Sequence, residues 1–198
     1  MPLLFPELFL DQFELAVEHP FLSERGIKKE TAQRWQIGFD PEENAIIVPV
    51  RDAWNNCVGI VRRHVDGTVP KYRYNPGFEV KSSLVGLHNP MGGRRDKIYL
   101  VEGPLDAILM SQYLGFAVAV LGSHLHQQQI NMLEFAGYQN AQYFVMFDND
   151  KAGQEGAARA ESLLCRAGFS ALEFPFSKKW ADPAEMIRDI ENKGGVGK

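Results

Sequence analysis

Cysteine is scarce in this chain of 198 residues: Cys57 and Cys165 are the only two. Two distant thiols cannot make a four-ligand zinc site alone, and five scattered histidines do not complete one. No zinc is expected in the chain, and both thiols read as reduced, in the core or at the surface of a cytoplasmic protein. Long apolar runs are missing as well. No stretch approaches the roughly 18 uninterrupted apolar residues of a membrane span. Residues 1–10 carry Glu7 and no basic cluster, so neither a signal peptide nor a membrane partner is expected. Internal repeats and low-complexity tracts are also lacking. What remains is 45% apolar and 23% charged, the composition of a soluble globular protein with one large domain or two small ones.

The charge is unevenly spread over a net −4. Residues 1–50 hold 4 basic and 9 acidic side chains, residues 51–97 hold 9 and 4, and residues 98–198 hold 8 and 12. A basic middle beside an acidic end fits a polyanion groove next to a metal site. Tyr72, Tyr74 and Phe78 interleave with Lys71, Arg73 and Lys81, a mixture of rings and cations that suits single-stranded nucleic acid. The alternative is a solvated basic face.

Apolar spacing predicts a helix over about 5–18, stopped by Pro20, and a second over about 28–36. AIIVPVR (45–51) and 57–65 read as a hairpin around Trp54-Asn55-Asn56. Residues 66–95 are rich in Gly and Pro and read as irregular. From Lys97 onward strands (97–101, 116–121, 141–147, 170–176) alternate with helices (104–115, 126–135, 152–167), and Asp182-Pro183 opens a last one. The expected class is therefore α/β, a parallel sheet flanked by helices after a smaller α+β basic subdomain. The divisions fall at 1–94, 95–176 and 177–198, with 194–198 a frayed tail. Trp35, Trp54 and Trp180 read as packing residues, and His124 and His126 as loop or helix-start residues.

Two pairs of acids stand at strand ends: Glu102 and Asp106 in VEGPLD, Asp148 and Asp150 in FDNDKAG. In an open α/β sheet that is where ligands bind. Residues two apart on a strand share a face, so Asp148 and Asp150 can converge. Such a cluster suits Mg²⁺ (or Mn²⁺) held against phosphates. The competing reading has Asp148 and Asp106 capping helices.

VEGPLDA followed by FDNDKAGQ resembles the Toprim fold of bacterial-type primases, topoisomerases and some nucleases. The resemblance implies catalytic roles for Glu102, Asp148 and Asp150, and metal binding by these with Asp106. Leu22–Ile27, Ile37–Phe39, Ile47–Arg51, Gly59–Arg63, Pro70–Tyr72, Leu84–Leu87 and Leu121–Ser123 with Gln129 resemble the catalytic core of the DnaG-type primase family. The matches cover roughly 20–190. The resemblance implies a Toprim-type sheet and RNA primer synthesis on single-stranded DNA from ribonucleoside triphosphates. Arg63, Lys71, Tyr72 and Lys81 would then bind nucleic acid or nucleotide. It also implies a bacterial, phage or plasmid origin, with a replicative helicase and a separate zinc-binding module as partners. The family's late D-P-D motif reads Asp182-Pro183-Ala184 here, leaving Asp182 as the metal candidate. A metal-dependent Toprim nuclease and a non-catalytic nucleic-acid-binding replication subunit are the alternatives.

Overall fold

A computed structural model describes residues 7–177 and 179–193. Two sheets organise them. The first is antiparallel, in the order β1 (Glu14–Leu15), β2 (Gly38–Asp40), β3 (Ala45–Arg51), β4 (Cys57–His64) and β5 (Tyr72–Tyr74). Two short helices, α1 (Pro20–Glu24) and α2 (Lys29–Arg34), lie between β1 and β2. β3 is buried along its whole length. Its Pro49 lies beyond the reach of β2, which pairs only as far as Ile47. A strand tolerates proline where one side goes unpaired. The β3–β4 turn forms as its asparagines predict: Asn55 takes φ 71°, and the Asp52 carboxylate accepts from the N–H groups of Trp54 and Asn56.

The second sheet is parallel, in the order β7 (Ala117–Ala119), β6 (Lys97–Val101), β8 (Gln142–Val145) and β9 (Ser170–Glu173). Helices α3 (Pro104–Leu114), α4 (Gln127–Phe135), α5 (Lys151–Arg166) and α6 (Pro183–Asn192) follow β6, β7, β8 and β9 in turn. Alternate strand residues face opposite sides. Ile98, Leu100, Val118, Tyr143 and Val145 pack on Ile130 and Leu133 of α4 and Ala157, Ala160 and Leu164 of α5. Val101, Ala117, Ala119 and Met146 join α3, α6 and Ile46, Val48, Val50 and Val61 of the antiparallel sheet in a second core. That core spans both sheets. The chain leaves β6 toward β7 on one side, and β8 pairs on the other. The strand order therefore reverses between β6 and β8, the kind of crevice in which open sheets bind ligands.

Several expectations need correction. No helix runs through 7–18: a 3₁₀ turn at Glu7–Gln12 leads into β1, whose partners Gly38 and Phe39 are supplied from far along the chain. Pro20 does not stop a helix but begins one, since its missing N–H and fixed φ suit a first turn. The 66–95 stretch is not wholly irregular, because Tyr72–Tyr74 adds a strand to β4 and Val80–Ser82 a 3₁₀ turn. β7 and β9 are shorter than 116–121 and 170–176. In β8 only alternate residues are fully buried, and Phe144 instead stacks on Tyr99 at 5.3 Å. Trp54 is not core: it is 61% exposed, edge-on to Phe135. The tail expected at 194–198 lies outside the described residues.

Candidate metal centre and nucleic-acid face

Glu102 follows β6 directly, and its Oε1 accepts from the Asp148 N–H at 3.1 Å. The two acids thus bridge the β6–β8 crevice. The Glu102 carbonyl accepts from the N–H groups of Leu121 and Gly122 at 3.0 and 3.2 Å, tying in the loop after β7. Asp106 stands in the first turn of α3. A Cβ at Gly103 would lie 2.5 Å from Asp106 Oδ2 and 3.5 Å from the Tyr72 hydroxyl, so only glycine lets these groups close over the turn.

β8 ends at Val145, so Asp148 and Asp150 lie in a loop and do not share a strand face. Their nearness comes from the turn into α5. Asp150 is its N-cap, with Oδ1 accepting from the Gly153 N–H at 2.8 Å. A Cβ at Gly153 would sit 2.0 Å from the Asp148 carbonyl oxygen, so the helix can start this close to the loop only with glycine there. Capping thus falls to Asp150, and to Asp182 at the start of α6, rather than to Asp148 or Asp106. A capping carboxylate keeps a second oxygen for other work.

The acids raise one another. Burial, then the charges of Asp148 and Asp182, push Asp106 up to about 7. Burial and the charge of Asp148 push Glu102 up to about 7, against the Asp148 N–H bond. Asp148 rises to about 6 through burial and its neighbours Asp182 and Asp150. Among charged side chains, Lys71, acting on Asp148, and Arg25, acting on Asp106, pull the other way. Among the described residues no group of three or more His, Cys, Asp or Glu side chains is close enough together to hold a metal ion by itself. An open arrangement of carboxylates with excess negative charge fits Mg²⁺, which is usually bound by one or two carboxylates, waters and substrate phosphates. A cleft of about 160 Å³ opens beside Asp148, the one candidate acid that lines it, with Asn149, Gln154 and Phe174 among its other walls. A larger groove of about 660 Å³ lies by Tyr113 and Lys28, two turns along α3 from Asp106.

The basic stretch divides on folding. Arg51 is buried against Glu7 and Gln36, Arg62 lies by Asp40 and Glu43, and Arg73 and Arg94 pair with Glu43 and Asp96. Lys71 and Lys81 are exposed and make no ion pair among the described residues. Tyr72, on β5, reaches the acids: burial and the Asp106 charge hold its hydroxyl well above the usual phenol range. The Arg63 guanidinium lies 5.3 Å from the Tyr72 ring and 5.6 Å from that of Phe21, which Arg25 covers at 4.7 Å. Lys81 stands apart from the acids, near His126 at the start of α4. Tyr74 and Phe78 stack on each other at 5.2 Å, which satisfies them by packing. The sequence reading missed Arg25, although it lies within the Leu22–Ile27 motif. It also missed the side chain of Asn149, whose only signal was its place between two acids.

Residues 99–187 match the family model described as Toprim-like. The stretch that holds the parallel sheet and the acids from Glu102 to Asp182 is thus Toprim-like. DNA primases of Neisseria meningitidis serogroup A (28% identical over 158 residues, 76% of this chain and 26% of the relative) and Salmonella typhimurium (24% over 230 residues, 90% and 39%) are similar in sequence. The chain spans between about a quarter and two fifths of the length of these relatives. The zinc-binding and RNA polymerase domains of Aquifex aeolicus primase superpose with a TM-score of 0.79 at 21% identity (95% of this chain, 57% of that one). A DnaG primase catalytic domain bound to ssDNA superposes at 0.76 and 20% identity (95% and 74%). The particular fold is that of the DnaG-type primase catalytic core.

Proposed function

We propose that this chain is a primase catalytic core, joining ribonucleotides into short primers on a single-stranded DNA template with Mg²⁺ or Mn²⁺. The observation that carries the reading is the meeting of the two sheets at the acids. β5 brings Lys71 toward Asp148 and the Tyr72 hydroxyl toward Asp106, so a cationic, aromatic edge runs into the carboxylate cluster. The DNA-bound relative and the primase relatives support the same conclusion. Glu102, Asp148 and Asp150 would hold the ions, with Asp106 and Asp182 beside them. When bound, such ions neutralise phosphate charge and favour attack of a hydroxyl at phosphorus. Arg63 and Lys71 would bind and orient phosphates, and Lys81 would follow the strand further out. A helicase and a zinc-binding module in trans complete the proposed assembly as partners.

The test is incorporation of labelled ribonucleotides on single-stranded DNA. Glu102→Gln, Asp148→Asn and Asp150→Asn should each abolish it with the fold intact, since Asn still caps α5. Full activity in any of the three sinks the assignment. Metal-dependent degradation of the DNA without incorporation would identify a nuclease instead.

A further inference from the structure

Between β9 and α6, Ser177 and residues 179–182 lie against the loop that carries Asp148 and Asp150, as a strap. Asn149 fastens it. Its Nδ2 donates to the carbonyls of Trp180 at 2.8 Å and Ser177 at 3.2 Å. Its backbone N–H donates to the Ala181 carbonyl at 2.7 Å. Its Oδ1 accepts from Gln154 Nε2 at 2.8 Å, which fixes the amide's orientation from the α5 side. The strap is tied down at its far side too. One carboxylate, Asp189 of α6, accepts from the Trp180 indole at 3.0 Å, from Lys179 at 2.8 Å and from Lys193 at 2.9 Å. Asp182 then caps α6 by accepting from the Glu185 N–H at 2.6 Å, while the Glu185 carboxylate accepts from the Ala181 N–H.

A plain connection from β9 to α6 needs none of the bonds that Asn149 supplies. Their effect is to press the strap onto the acid loop, where the Asp182 charge is felt by both Asp148 and Asp106. We infer that Asn149 is a positioning residue: it holds the strap of residues 179–182 against the Asp148–Asp150 loop and so sets the reach of Asp182 toward the divalent ions. The inference rests on the reading of the acids as ion ligands. Asn149 touches no reacting atom and acts through Asp182.

The full chain serves for the test, without nucleic acid or nucleotide and with Mn²⁺ as the probe. Asn149→Ala should speed tryptic cleavage after the exposed Lys179 about tenfold, because opening the strap no longer breaks two side-chain hydrogen bonds. It should also weaken Mn²⁺ binding about tenfold in a calorimetric or paramagnetic titration, as loss of an outer support does. Asp182→Asn should weaken Mn²⁺ to a similar degree with cleavage unchanged, since Asn caps a helix as well as Asp. Asp189→Ala releases the strap from the other side without touching the acid loop, and should reproduce both effects of Asn149→Ala. Parent-like cleavage in Asn149→Ala overturns the inference, and so does a loosened strap with unchanged Mn²⁺ affinity. A parent chain that binds no Mn²⁺ overturns the ion-site reading itself and the inference with it.

Discussion

Asp106 carries its proton up to about 7 because the fold buries it beside other acids. An unfolded aspartate gives up its proton near about 4. Between those limits the folded chain holds more protons than the unfolded one, so stability falls as pH rises through the window. Asp106→Asn removes a charge the fold must otherwise accommodate. At about pH 8 and without added metal, the variant should melt higher than the parent, by about 2–4 °C for each kcal/mol of repulsion relieved. Its melting temperature should also depend less on pH between about 4 and 7. Thermal scans across pH decide it, and a lower melting point at high pH would mean that Asp106 stabilises the fold as a charge. Glu102, Asp106, Asp148 and Asp150 were legible in the sequence because each stands where an apolar run breaks. Their division of labour was not. Whether an acid caps a helix or faces an open cleft depends on where the preceding strand stops, and β8 stops two residues before Phe147.

Among the elements, the start of α5 is the most tightly specified. Gly153→Ala would drive a methyl into the Asp148 carbonyl. The expected cost is about 1–3 kcal/mol, as for other overpacked sites, visible as an earlier denaturant midpoint with loss of incorporation. The segment around β5 carries the second prediction at this scale. Lys71→Ala and Lys81→Ala should each reduce the log–log salt dependence of single-stranded DNA binding by about 0.7, the value for one phosphate no longer neutralised. Wild-type slopes in both would leave the stretch a solvated face. The long, strongly patterned elements β3, β4, β6, α3, α4 and α5 could be read from periodicity and from glycine and proline placement. β1 and β5 could not. They have two and three residues, and what makes them strands is a partner elsewhere in the chain, β2 and β4 respectively. The same non-local pairing ends the helical pattern that Phe13, Leu15 and Ala16 suggest.

For the whole molecule, the decisive feature is a core shared by the two sheets. Val50 and Val61 pack in the same cluster as Val101, Leu105 and Ile187. Gln129 adds a polar tie: fully buried, its Nε2 donates to the carbonyls of Ser83 and Val120 at 2.8 Å each, and its Oε1 accepts from the His126 N–H. Gln129→Leu would leave those carbonyls without a donor and should destabilise the chain by about 2–4 kcal/mol. Fluorescence and near-ultraviolet dichroism should still report one shared unfolding transition, in parent and variant alike. Two separated transitions would show that the sheets are independent. The strap has a consequence of another kind, one of timing. Translation delivers Tyr72 first, then Glu102 and Asp106, then Asp148 and Asp150, and Asp182 last. At roughly 5–20 residues per second, Asp182 trails Tyr72 by about 5–20 s on the ribosome. A nascent chain therefore acquires its cationic edge well before the acid that completes its carboxylate cluster. Any chain cut short between β9 and α6 has the residues of both sheets and lacks Asp182 together with the α6 side chains of the shared core.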